Sequence, residues 1–108
     1  MNTVLVTGAS SFLGYHVAKR LNELGIRPRV LEPAEGKRAP LESLNVSQCD
    51  GHLEDPQSLA AACDGVDTLF HLAFRVSVGG GTKLLEEMQH VNVAGTERLL
   101  DAAASKSV

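Results

Sequence analysis

Three places in this chain carry residue types and spacings that do chemistry. The first is Thr7-Gly8-Ala9-Ser10-Ser11-Phe12-Leu13-Gly14, directly after a short apolar run. A glycine turn that hands a strand over to a helix presents free N–H groups and the positive end of the helix dipole to a phosphate. Gly8 permits the tight turn, and Gly14 lets the helix lie close to the strand. The second is Glu32, 24 residues beyond Gly8. An acid about 20 residues past such a turn hydrogen-bonds the adenosine ribose hydroxyls and repels a 2′-phosphate, which favours NAD over NADP. Lys37 and Arg38 in the next loop are the opposing signal. The third is His71, near the end of an apolar run. It has the chemistry of a base, but its setting reads better as a half-buried strand histidine bonded to its neighbours. The plain alternatives stay open: an ordinary tight strand–helix turn, and a solvated carboxylate at a strand end.

The elements that must position these groups follow from hydropathic period. Thr3–Gly8 is short, apolar and β-branched, which suits a strand buried on both faces. From Phe12 the period becomes helical, with Leu13, Val17, Leu21 and Leu24 on one face and Gly25 as the cap. Arg27–Glu32 reads as a second strand, a helical turn is expected near Leu41–Leu44, and Val46–Gly51 is a third strand. Asp55 caps a short helix with Pro56 at its first position and Gly65 beyond its end. Val66–Ala73 is a fourth strand. The glycines at 79–81 make a loop that either borders a substrate or serves as a linker. Arg75 and Ser77 lie at the sheet end that meets a substrate. A long helix from Thr82 to Ala104 follows, its seam formed by Leu84, Met88, Val91, Gly95, Leu99 and Ala102. Alternating strands and helices with short connections define an α/β chain with a parallel sheet and right-handed crossovers.

With 108 residues, 44% of them hydrophobic, the chain is the size of one domain with one core. A net charge of −3 gives no electrostatic case for nucleic acid or an acidic membrane surface. No apolar run approaches the roughly 20 residues of a membrane span, and the N-terminus lacks the pattern of a secretory signal. Cys49 and Cys63 are the only cysteines. They read as free thiols in a reducing cytosol, and no metal-ligand spacing is present.

Four stretches in order carry a family resemblance. "TGASSFLG" resembles the TGxxGxxG turn of the extended short-chain dehydrogenases/reductases, the NAD-dependent epimerase/dehydratase family. "DGHLEDPQSL" at 50–59 resembles that family's G-D-L-x-D segment, "LFHLAF" at 69–74 its F-H-L-A-A strand end, and "HVNVAGTERLLDAA" at 90–103 its N-V-x-G-T helix. The resemblance implies a Rossmann-like parallel sheet with flanking helices that stops after about four strands. Residues 1–108 would then be the N-terminal part of one NAD(P)-binding domain whose catalytic and substrate portion lies beyond them. It places cofactor contacts at Gly8, Ser10, Ser11, Phe12, Leu13 and Gly14, at Glu32, at His52 and Leu53, at Leu72, Ala73 and Phe74, and at Asn92. Asn92 is also expected to anchor the long helix near the active site and support catalysis. Two positions depart from the pattern. Ser11 replaces the middle glycine, so its Cβ crowds the pyrophosphate, and its hydroxyl is a possible donor to it. His52 replaces the aspartate that contacts adenine.

The family's chemistry rests on Tyr-x-x-x-Lys, in which the lysine lowers the tyrosine pKa for proton transfer. Tyr15 and Lys19 have that spacing but start one residue after Gly14, whereas the family's pair lies on a later helix. No residue of this chain is therefore expected to be catalytic, and the chain alone is expected to be inactive. The implied parent is an NAD(P)-dependent epimerase, dehydratase or ketone/alcohol oxidoreductase. Its substrate would be a nucleotide sugar or a steroid-like or flavonoid-like ketone or alcohol, and it would work in the cytoplasm as a homodimer. The alternative is a non-catalytic NAD(P)-binding module for regulation or interaction.

Overall fold

The computed structural model describes residues 1–33, 39–74 and 81–108. Four strands, β1 (Val4–Thr7), β2 (Arg29–Glu32), β3 (Ser47–Asp50) and β4 (Thr68–His71), form one sheet in the order β3-β2-β1-β4. Every pairing is parallel, with Val6 opposite Val30 on one side and Phe70 on the other. Helix α1 (Phe12–Glu23) links β1 to β2, and α2 (Pro56–Cys63) links β3 to β4. After β4 come α3 (Thr82–Gln89), a π-helical turn (His90–Ala94) and α4 (Gly95–Ser105). This is the α/β, Rossmann-like arrangement expected.

β1 is apolar without alternation because it is covered on both faces. Leu5 belongs to a core with Leu31, Leu59, Val66 and Leu99, against α2 and α4. Its neighbours Val4 and Val6 point the other way, into a core with Ala9, Leu21, Val30 and Leu41. α2 starts as expected: the Asp55 carboxylate accepts from the Gln57 N–H at 3.1 Å, and Pro56 takes the first turn, where no N–H is needed. Cys49 and Cys63 are free, Cys63 within the core.

The structure corrects three details. The buried stripe of α1 is Gly14, Ala18 and Leu21, while Leu13 and Leu24 are 59% and 55% exposed. The face has turned because the helix approaches the strand through its smallest residues, so close packing outweighs the period of the large ones. The helical turn expected near Leu41–Leu44 begins earlier, as a 3₁₀ turn at Ala39–Leu41, and runs on through a bond from the Leu44 N–H to the Leu41 carbonyl at 3.0 Å. The long helix is interrupted at His90–Ala94, where an extra residue per turn shifts the register. Its seam is buried at Gly95, Leu99 and Ala102, joined by Ala103, whereas α3 buries no residue.

Candidate functional site

The carboxyl ends of β1, β2 and β4 and the loop after β3 enclose an open cleft of about 710 Å³. In an open parallel sheet this is where ligands bind. Gly8 has φ +77°, and a Cβ there would lie 2.6 Å from the Leu72 carbonyl carbon and oxygen. The exit of β1 and the end of β4 thus meet backbone to backbone, and the floor of the cleft carries no side chain at that point. A Cβ on Gly14 would fall on the Gly8 carbonyl oxygen, with Ala9 Cα 2.8 Å away. Here only glycine lets α1 start so near the strand.

Ser11 is the N-cap of α1. Its hydroxyl donates to the Gly8 carbonyl at 2.7 Å and accepts from the Gly14 N–H at 3.1 Å. The hydroxyl considered above as a pyrophosphate donor is therefore committed within the turn. The first intrahelical bond at this end is Tyr15 N–H to Ser11 O, 2.8 Å. Phe12 and Leu13, one residue into the helix, have N–H groups with no intrahelical acceptor, and these are the donors an anion would meet.

Glu32 is buried, 5% exposed, at the end of β2. The Ser10 N–H donates to its Oε1 at 3.0 Å and the Ser10 hydroxyl to its Oε2 at 3.2 Å. Lys37 and Arg38, the opposing cations, lie outside the described residues, as do Arg75, Ser77, Gly79 and Gly80. Beyond β3, the His52 N–H donates to Ser58 Oγ at 3.3 Å, and Leu53 packs where a Cβ on Gly95 would lie 3.0 Å away. Gly95 thus seats α4 against the wall of the cleft.

Thr7 is the hub of the floor. Its Oγ1 accepts from the Leu72 N–H at 3.1 Å and the Ala73 N–H at 3.2 Å, and it lies 2.6 Å from His71 Nδ1. With both acceptor positions filled, the hydroxyl proton must go to Nδ1. His71 Nε2 then carries the imidazole proton and donates to Thr96 Oγ1 at 2.8 Å, whose hydroxyl donates to the Asn92 carbonyl at 2.6 Å. The histidine is a neutral link between β4 and the π-helical turn. Burial pushes its pKa below the ordinary 6.5. A group that resists protonation in the fold gives stability that is present above the unfolded pKa and is lost as pH falls through the folded one. Thermal melts should therefore show stability falling as pH drops below about 6.5, and His71→Gln should remove that slope while leaving the rest of the profile. A slope unchanged by the substitution would contradict the assignment. Asp67, held below the usual carboxylate range chiefly by the Asn2 N–H, acts in a separate, lower window.

Of the residues expected to touch a cofactor, Gly8, Ser10, Ser11, Glu32, His52, Leu53, Leu72, Ala73 and Phe74 line the cleft. Among the described residues, Phe12, Leu13, Gly14 and Asn92 do not. Phe12 and Leu13 stand at its helical rim, and Gly14 lies beneath the turn. Val91 rather than Asn92 faces the cleft from the π-helical turn. Tyr15 and Lys19 are also outside the lining. Thr7, Leu31, Pro33, Gly51 and Glu54 complete the wall. Of these, Thr7 had a signal in the sequence as a polar residue closing an apolar strand, and Gly51 and Glu54 fall within the 50–59 segment, whereas Leu31 and Pro33 were not singled out. No cluster of metal ligands occurs among the described residues, and no helix there is long and apolar enough to cross a membrane.

Residues 4–108 match the model of the NAD dependent epimerase/dehydratase family. The chain is a member of that epimerase/dehydratase family. Proteins similar to it include a 3 beta-hydroxysteroid dehydrogenase/Delta 5-->4-isomerase of Mycobacterium tuberculosis, 35% identical over 100% of this chain and 30% of the relative. A short-chain dehydrogenase/reductase superfamily protein from Agrobacterium tumefaciens, solved with bound NAD, is 32% identical with a TM-score of 0.79, over 99% of this chain and 30% of that one. The UDP-glucose 4-epimerase of Thermotoga maritima, solved with UDP-glucose, is 27% identical with a TM-score of 0.84, over 98% and 35%. The chain thus spans about a third of the length of the proteins it matches.

Proposed function

We propose that this chain is the dinucleotide-holding part of an NAD-dependent oxidoreductase or epimerase of the extended short-chain type. The observation that carries the reading is the cleft itself: a bare-backbone floor at Gly8 and Leu72, a helix N-terminus at one rim and a buried carboxylate at the end of β2. The residues present fit the group. The Phe12 and Leu13 N–H groups meet the pyrophosphate, Glu32 takes the adenosine ribose hydroxyls, His52 and Leu53 flank the adenine, and Ala73 and Phe74 border the nicotinamide ribose. When bound, NAD supplies hydride acceptance at a substrate carbon. The chain's own residues bind and orient it, Thr96 ties α4 to His71 on β4, and Asn92 is the residue we assign to support catalysis.

The substrate we propose is a hydroxyl- or keto-bearing small molecule, with steroid-like alcohols and nucleotide sugars as the leading classes. The similar proteins described above, a 3 beta-hydroxysteroid dehydrogenase and a UDP-glucose 4-epimerase solved with UDP-glucose, support these classes. Catalytic residues would lie in sequence beyond this segment, and the whole protein would be a cytoplasmic homodimer. Leu85, Val93 and Leu100, exposed along the outer side of the long helix, support association through that helix.

Glu32→Ser tests the cofactor assignment. Removing the carboxylate removes the repulsion of a 2′-phosphate and the acceptor for the ribose hydroxyls. Paired titrations should show the affinity for NADP relative to NAD rising about tenfold. An unchanged ratio would remove Glu32 from the site.

A further inference from the structure

We propose that Ser10 is a second determinant of which dinucleotide the cleft accepts, and that its effect reverses sign with the residue at position 32. The proposal rests on the dinucleotide reading above. One residue of the turn holds both oxygens of the Glu32 carboxylate, through its N–H at 3.0 Å and its hydroxyl at 3.2 Å. Two donors from one residue fix the plane of a carboxylate. A carboxylate offers about four acceptor positions. Ser10 engages both oxygens, and the carboxylate so oriented is the partner for ribose hydroxyls in the cleft that both residues line.

The same donor pair has a second use. A backbone N–H beside a hydroxyl is a set that phosphate oxygens accept readily. While Glu32 is present, these donors are taken, and a phosphate would meet a carboxylate. When Glu32 is shortened to serine, they are released at the place where the carboxylate stood. Ser10 then changes from a support for the NAD-selecting acid to a ligand for the 2′-phosphate of NADP.

The experiment is calorimetric titration of the chain with NAD and with NADP, for the unaltered sequence, Ser10→Ala, Ser10→Thr, Glu32→Ser and the Ser10→Ala/Glu32→Ser pair. The hydroxyl bond is the longer of the two, so its loss has a modest effect. Ser10→Ala should weaken NAD binding about twofold to fivefold without weakening NADP. Ser10→Thr, which keeps the hydroxyl, should restore NAD binding. In the Glu32→Ser background, Ser10→Ala should weaken NADP by a similar factor and leave NAD unchanged. Equal weakening of both dinucleotides in both backgrounds would reduce Ser10 to a structural role and overturn the proposal, as would no change in either. If the unaltered chain takes NAD and Ser10 has no effect, only this inference falls. If it takes neither dinucleotide, the reading beneath it falls as well.

Discussion

Gly14→Ala is expected to lose about 3 kcal/mol of stability or more, enough to leave much of the chain unfolded. A Cβ at this position would fall on the Gly8 carbonyl oxygen and lie 2.7 Å from the Gly8 carbonyl carbon and 2.8 Å from Ala9 Cα. Every one of these atoms is backbone. No side chain can rotate away, so α1 must move off β1, and the turn that faces the cleft moves with it. Gly95→Ala is the control. There the atoms nearest the new Cβ belong to the Leu53 side chain, Cδ1 at 3.0 Å and Cβ at 3.1 Å. A shift of a few tenths of an ångström between α4 and Leu53 relieves these contacts, and alanine favours the helix by about 1 kcal/mol over glycine, so the two effects largely offset. Denaturant unfolding should show Gly95→Ala within about 1 kcal/mol of the unaltered chain and Gly14→Ala far below it. Equal effects would contradict the close packing of α1 on the turn.

Thr7→Val is expected to cost about 2 to 3 kcal/mol. Valine keeps the shape and the β-branch, and Thr7 is only 1% exposed, so the change removes one oxygen from a closed site. The Leu72 N–H retains the Thr7 main-chain carbonyl at 3.0 Å. The Ala73 N–H loses its 3.2 Å acceptor, and His71 Nδ1 loses its 2.6 Å donor. Each buried polar group left without its partner costs about 1 kcal/mol or more. Thr7→Ser keeps the oxygen and should cost about 1 kcal/mol, the methyl group alone. If valine and serine are equally tolerated, the hydroxyl is not the hub of the floor. The same substitution should also weaken dinucleotide binding, because Leu72 and Ala73 would no longer be held at the end of β4.

The strands and the short helix were legible because each is specified locally. β1 is a run that no partly exposed strand would carry, and Asp55-Pro56 marks the start of α2 by capping chemistry alone. The glycine turn and Glu32 were legible for the same reason: their spacing is fixed by the length of one strand–helix–strand unit. The face of α1 was not, since hydropathic period counts large apolar residues, and here the contact is made by Gly14 and Ala18. The π-helical turn had no signal either. It arises from how α4 seats on Leu53 through Gly95, while Thr96 on α4 meets His71 on β4, and both are tertiary relations. Ser11 shows the limit of reading a substitution by type. Its hydroxyl suits a phosphate, yet the turn's own geometry gives it the Gly8 carbonyl and the Gly14 N–H first.

The measurement that bears most directly on the dinucleotide cleft is a titration of the isotope-labelled chain with NAD, followed through its backbone amide resonances. The expected result is saturable shifts concentrated at Gly8, Ser10, Phe12 and Leu13, at Glu32, at His52 and Leu53, and at Ala73 and Phe74. Gly25, Gly65 and Asp67, at the opposite ends of the strands, should stay still. Shifts centred on those opposite turns, or none at all at saturating NAD, would contradict the assignment of the cleft.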